Sequence, residues 1–361
     1  MTRAARHCSF LIPGELATRT GGYTYDRHII DGLRALGWHV DVLPLGPGFP
    51  WPDAAALAQA RRVIEALPDG TLAMVDGLAF GVLGELAHAH ARRLRWVALV
   101  HHPLALESGL RHQQREALHA SERHALQATR RVIVTSPFTA RNLVAEFGVS
   151  ASHISVVEPG TDPAPVARGS APGEALNLLC VATITPRKGH ALLIEALAGL
   201  KDRPWQLHCA GSLSMDPACS DAMRQAIAAH GLEQRVVLHG EQDEAGLRRL
   251  YAAADAFVLP SYHEGYGMAL AEAIAHGLPV LSTRAGAIVD TVPAAAGMLV
   301  PPGDMPALRA ALQRLLDDNA WRQQLRSGAL AARADLPSWQ RSSERFADAL
   351  AAVHETGAPR Q

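Results

Sequence analysis

The chain has 361 residues, too many for one ordinary core and about right for two domains of roughly 150 residues each. Its 48% hydrophobic and 19% charged residues exclude wholesale disorder, and 34 Lys+Arg against 35 Asp+Glu, a net charge of −1, leave no overall field to draw nucleic acid. The four cysteines, Cys8, Cys180, Cys209 and Cys219, form no C-x-x-C pair and lie mostly in or beside apolar runs, so reduced, buried thiols are expected rather than a metal or redox centre. Between Met1 and Phe10 there is no apolar stretch of signal-peptide length before Pro13-Gly14, and no segment approaches the roughly 18 apolar residues of a membrane span. The cytoplasm is the expected location.

Short apolar or β-branched runs alternate with longer Ala/Leu/Arg-rich stretches, the pattern of parallel sheets covered by helices on both faces. In chain order the predicted strands of the first half are 8–12, 39–43, 72–75, 97–100, 132–135 and 154–157; those of the second are 176–181, 206–210, 236–239, 256–259, 279–282 and 298–300. Each set reads as one doubly wound sheet, giving domains at 1–163 and 176–336. The Pro/Gly/Ser-rich stretch from Asp162, with a linker assigned to 164–175, has neither helical nor strand period. Beyond Pro337, Trp339–Val353 is helical in composition and follows a completed sheet, so 337–361 is expected to cross back to the first domain.

The most informative run is His263-Glu-Gly-Tyr-Gly-Met-Ala-Leu-Ala-Glu272, directly after the strand 256–259. Gly265 and Gly267 let backbone N–H groups approach a ligand, and the helix starting near Gly267 aims its positive end at the same place, which suits a phosphate. Glu264 and Glu272, eight positions apart, flank that ligand site from loop and helix. Taken alone, such a strand–loop–helix junction is as well explained by ordinary turn and helix-dipole preferences. Three further features support a site. Arg187-Lys188-Gly189 follows the first strand of the same domain, where ligands of open α/β sheets gather, and two cations there neutralise a diphosphate. Gly21-Gly22 opens a helix after the first strand, and His101-His102-Pro103 ends the strand 97–100. Each of these has an ordinary reading as a solvated turn or loop.

These residues together resemble the retaining, GT-B-fold glycosyltransferases of family 4. The paired-glutamate motif E-x7-E stands here as Glu264 and Glu272 within E-G-Y-G…E-A-I-A-x-G-L-P-V, and Lys188-Gly189, Gly21-Gly22, the Gly37–Val40 turn, His101, Pro159-Gly160-Thr161-Asp162 and Val300-Pro-Pro-Gly-Asp304 match as well. The resemblance implies an α/β fold of two Rossmann-like domains facing a central cleft, and a sugar transferred from a nucleotide-diphosphate sugar with retention of configuration. It implies that Glu272 binds the ribose, Glu264 holds the sugar hydroxyls, Lys188 the diphosphate, that Gly22 offers its amide to the β-phosphate, and that the amides of Tyr266 to Met268 complete the phosphate cradle. His101 is then placed beside the sugar and His102 on the acceptor side. The family commonly has an arginine where Thr183 stands, five positions before the lysine, so the diphosphate is expected to lean on Arg187 instead. The usual asparagine before Pro159-Gly160 is here Glu158.

No Asp-x-Asp occurs in the chain, so no metal and no cofactor are expected, the nucleotide sugar being a substrate. The acceptor is left open among glycan, lipid and small molecule. Arg92, Arg93, Arg95, Arg111, Arg115, Arg123, Arg130 and Arg131 make the first domain locally basic, read as a solvated helix face or as a weak peripheral membrane contact. An epimerase or phosphorylase on the same scaffold and a non-catalytic binding protein are the competing readings. A dinucleotide oxidoreductase is disfavoured because no G-x-G-x-x-G follows an early strand.

Overall fold

The computed structural model describes residues 6–107, 109–171 and 173–355. These fall into two compact units, one comprising the described residues up to 160 together with those from 337 on, and the other those of 161–336. The first carries β1 (His7–Ile12), β2 (His39–Pro44), β3 (Leu72–Asp76), β4 (Arg95–Val100), β5 (Arg131–Val134) and β6 (Ile154–Val156); the second carries β7 (Leu176–Val181), β8 (Trp205–Ala210), β9 (Val236–Gly240), β10 (Ala256–Leu259), β11 (Val280–Thr283) and β12 (Gly297–Val300). All twelve runs predicted from the sequence are strands, with ends shifted by a residue or two.

Every observed pairing is parallel. Parallel strands are joined by helices that bury both sheet faces, which is why the strands are continuous apolar runs rather than alternating ones: β4 is buried at every position after Arg95. The first sheet has the order β2-β1-β3-β4-β5-β6 and the second β12-β11-β10-β7-β8-β9. In each, the winding direction reverses once, between β1 and β3 in the first unit and between β7 and β10 in the second. At such a reversal the connections leave to opposite sides, and a crevice opens beyond the carboxyl ends of the two strands.

The helix Trp339–Glu355 packs within the first unit on the helix Gly21–Ala35. The indole of Trp339 stacks on His28 with ring centroids 4.0 Å apart, and Ser342 donates to the Glu158 carbonyl at 2.6 Å. A Cβ on Gly32 would lie 1.9 Å from Ser343 Oγ, so this close helix approach requires glycine.

The Pro/Gly/Ser-rich stretch read as a linker is tied down along the second unit. Ala167 donates to His276 O at 2.9 Å, Arg168 to Ala252 O at 2.8 Å, and the side chains of Arg326 and Arg333 bond the carbonyls of Ala167 and Ala164. Backbone groups without a ladder of their own are satisfied here by long arginines from the helix Asn319–Ala332 and the turn that follows it. Composition marks the irregular backbone but carries no signal for those distant partners. Among the described residues no helix is long and apolar enough to cross a membrane, and the four cysteines are free.

Candidate active site

At the reversal in the second unit, the loop after β7 meets the loop after β10. Pro186–Lys188 form a single 3-10 turn ending on Gly189, whose φ of +72° favours glycine, and a Cβ there would lie 2.2 Å from Pro260 O. That contact presses the two loops together and brings Lys188 onto Glu264. The ammonium donates to both carboxylate oxygens, at 2.7 and 2.9 Å. Ser261 donates to Oε1 at 2.6 Å. Arg187 lies 3.6 Å from Oε2 and donates to the His263 carbonyl at 2.8 Å.

Glu264 is only 5% exposed. Burial by itself pushes its carboxyl up, but Lys188, Arg187 and Ser261 outweigh that and hold it down at about 2. Burial likewise lowers Lys188, with Glu264 pulling it back up. The cluster is therefore one carboxylate between two cations, a net positive group at a sheet reversal. Such a group attracts an anion, and charge-assisted bonds are the strong ones.

The helix Met268–Ala275 begins beside it, with Gly267 at φ +91° as its first flanking residue. The sequence MALAEAIA is apolar all round except for Glu272, which is why the helix is buried at Leu270, Ala271, Ala273, Ile274 and Ala275. Tyr251 donates to Glu272 Oε2 at 2.8 Å and stacks on His276 at 4.7 Å. Burial raises Glu272 to about 7; the Tyr251 bond lowers it and Asp162 raises it further. Tyr266 is buried with its carbonyl accepting from Thr291 at 2.6 Å, while Gly265, Gly267 and Met268 are half-buried. Thr183 lies half-buried just beyond β7, its backbone against Gly211.

In the first unit, Thr20 caps the helix that opens with Gly21 and Gly22, accepting from the Tyr23 amide at 3.4 Å. A Cβ on Gly22 would lie 3.5 Å from the ring of His101. Nε2 of that histidine is 3.2 Å from Asp26 and 3.4 Å from Asp76. His102 pairs with Glu107 at 3.3 Å.

The structure thus brings together Arg187, Lys188 and Glu264, and separately Gly22 and His101. Four partners escaped the sequence reading: Ser261, Tyr251, Asp26 and Asp76. Ser261 stands three positions before Glu264, and Asp26 four positions after Gly22, one helical turn on the same face. No local signal marks Tyr251 or Asp76.

Two family models account for most of the chain: "Glycosyltransferase Family 4" matches residues 19–165, and "Glycosyl transferases group 1" matches 175–318. The chain belongs to glycosyltransferase family 4. The transferase is 29% identical over 310 residues to a D-inositol 3-phosphate glycosyltransferase of Arthrobacter sp. (strain FB24), an alignment covering 80% of this chain and 72% of that one. A sucrose-phosphate synthase from Thermosynechococcus elongatus superposes with a TM-score of 0.82 at 23% identity, over 97% of this chain and all of that one. The Anabaena protein HepE, solved with UDP and glucose, superposes with a TM-score of 0.72 at 19% identity, over 96% of this chain and all of that one. At these identities the solved structures establish the GT-B class of the transferase's two Rossmann-like units.

Proposed function

We propose that this glycosyltransferase takes a nucleotide-diphosphate sugar as donor and transfers the sugar to an acceptor hydroxyl with retention of configuration and without a metal. The observation that carries this reading is the Arg187–Lys188–Glu264 cluster at the β7/β10 reversal. Leaving of a nucleoside diphosphate places developing negative charge on phosphate oxygens, and two fixed cations beside a helix start stabilise it. That task needs no metal ion where the cations are already held by a buried carboxylate.

The bond from the anomeric carbon to the β-phosphate oxygen breaks while the bond to the acceptor oxygen forms on the same face, and the acceptor proton passes to the departing phosphate. No enzyme nucleophile takes part. Glu264 has its oxygens engaged by Lys188 and Ser261, which uses three of about four acceptor positions of a carboxylate. One position remains for a sugar hydroxyl, so the residue orients the sugar and the two cations at once. Glu272, already bonded to one hydroxyl donor in Tyr251, is assigned the ribose hydroxyls. Gly21, Gly22, Gly265 and the amides of Tyr266 to Met268 are assigned phosphate contacts, Thr183 is placed on the donor side, His101 beside the sugar, and His102 on the acceptor side.

A thermal-shift series with uridine, guanosine and adenosine diphosphates and their sugar conjugates, with and without chelator, tests the donor. A ligand at 100 times its Kd stabilises the folded state by about 2.7 kcal/mol, and the expected result is a chelator-insensitive rise with uridine diphosphate sugars. Loss of the rise with chelator overturns metal independence; no rise with any nucleotide overturns the donor assignment. Anomeric configuration of the product, read by NMR, tests retention.

A further inference from the structure

Beyond β3 and β4 of the first unit, three ionisable side chains meet. Asp26 is fully buried on the helix Gly21–Ala35, Asp76 is buried at the end of β3, and His101 follows β4 with its side chain 21% exposed. Both carboxylates approach the same ring nitrogen, Nε2, at 3.2 and 3.4 Å. Neither oxygen of Asp26 nor Nε2 of His101 has a partner in hydrogen-bond geometry, so the imidazole 3.2 Å away is the nearest compensation for the buried charge of Asp26.

Other groups beside His101 come from the helix Gly21–Ala35 and from the end of β5. Tyr25, on the same helix as Asp26, meets it edge-on at 5.4 Å. Tyr23 lies near both carboxylates, its phenol pushed up to about 12 by burial and then by Asp76 and Asp26, hence neutral. From beyond β5, Thr135 donates to the His101 carbonyl at 3.0 Å. The group therefore contains two acids and one base, with neutral hydroxyls around them. An isolated buried carboxylate is costly, and two of them on one nitrogen favour the ring that carries a proton there and a positive charge.

We propose that Asp26 and Asp76 are positioning residues that keep His101 doubly protonated, so that the ring, whose Cδ2–Nε2 edge faces Gly22, presents a charged Nδ1–H donor to a phosphate-bearing sugar ligand. With Nε2–H facing the two carboxylates at ion-pair distance, Nδ1–H is the ring's other donor. A neutral ring with Nε2–H would instead offer Nδ1 as an acceptor, which repels a phosphate or a sugar oxygen. The use of this donor rests on the nucleotide-sugar reading; the charge state does not. Burial opposes the charge, yet Asp26 and Asp76 raise the ring to about 10. Burial pushes Asp26 up as well, and His101 pulls it back.

The test is a pH titration of the histidine ring nitrogens by long-range 1H–15N NMR on the full chain, with His101→Gln giving the assignment. The ring of His101 is expected to remain doubly protonated through about pH 8.5, where ordinary histidines, near 6.5, are neutral. Asp26→Asn and Asp76→Asn are each expected to bring the titration down toward that ordinary value. In Asp26→Asn, kcat/KM relative to that of the parent then falls about tenfold or more between about pH 7 and 9. A ring that is neutral at about pH 7.5 in the parent overturns the proposal, and so do ring signals that move on adding chelator, which would reveal a bound cation. If Asp26→Asn fails to fold, Asp76→Asn is read in the same way and the parent titration decides alone. Absence of turnover with every donor would sink the transferase reading while leaving the ring titration intact, so the two failures are distinguishable.

Discussion

The carboxyl ends of the two sheets carry charge clusters of opposite design. Beyond β7 and β10, one buried carboxylate, Glu264, sits between two cations, Lys188 and Arg187; beyond β3 and β4, one imidazole, His101, sits between two buried carboxylates, Asp26 and Asp76. The first has a net charge of about +1 and the second about −1 when every group is ionised. Each uses a minority charge as the centre that holds its neighbours in place, but they answer to different pH limits and different substitutions. Burial makes both expensive to break, because removing one partner leaves the other desolvated and unpaired.

The largest expected effect comes from breaking the first cluster at its centre. Lys188→Met should cost about 3–5 kcal/mol of stability by stranding Glu264, the usual range for one partner of a buried ion pair, and should abolish turnover; a denaturant melt and a steady-state assay check both. A loss below about 1 kcal/mol would mean that Arg187 and Ser261 alone suffice for Glu264. Asp76→Asn should cost less, about 1–3 kcal/mol, since Asp26 remains against His101. Equal losses in the two variants would erase the energetic distinction between the two centres.

Next in size is Glu272→Ala, for which calorimetry should show nucleotide affinity about tenfold weaker, the order of a lost hydrogen bond to a charged group. Because burial holds Glu272 at about 7, affinity in the parent should also weaken as pH falls from 8 to 6, the protonated carboxyl having lost acceptor capacity. An affinity flat across that range would remove the ribose assignment. Glu264→Ala is expected to spare free-nucleotide binding and to cut turnover, its assigned partner being the sugar.

The smallest effect is on the pH dependence of stability. Glu264 is depressed from 4.5 to about 2, so its contribution is intact above about 4.5 and fades as pH falls toward 2. His101 is raised from 6.5 to about 10, so its contribution is full below 6.5 and fades as pH rises through the interval to 10. Thermal melts of Glu264→Gln should therefore lose part of the acid dependence of the parent, and those of His101→Gln part of the alkaline dependence. Exchange of the two slopes between variants would contradict the assignment of the clusters.

Much of the second-unit site was legible because its carriers are local. The run from Glu264 to Glu272 places a glycine-flanked helix start directly after an apolar strand, and Arg187-Lys188-Gly189 follows another such strand. Family-level spacing of two glutamates is a property of the chain, and it survives intact as a loop residue and a helix residue. The linker shows the converse. Its lack of period was visible, but its anchoring on Arg326 and Arg333, more than 150 residues away, was not.

The sequence by itself determined the two sets of six strands, the helix start at Gly267 and the residue types suited to a diphosphate, because apolar periodicity and glycine placement act over a few residues. Only the tertiary structure decided where the winding reverses. That order sets Lys188 against Glu264 across 76 positions and Asp26 and Asp76 against His101. Strand order depends on which buried faces fit together, a global packing choice to which no single segment is committed. For the same reason Ser261 and Asp26, legible as residues, became partners only when the sheets were assembled.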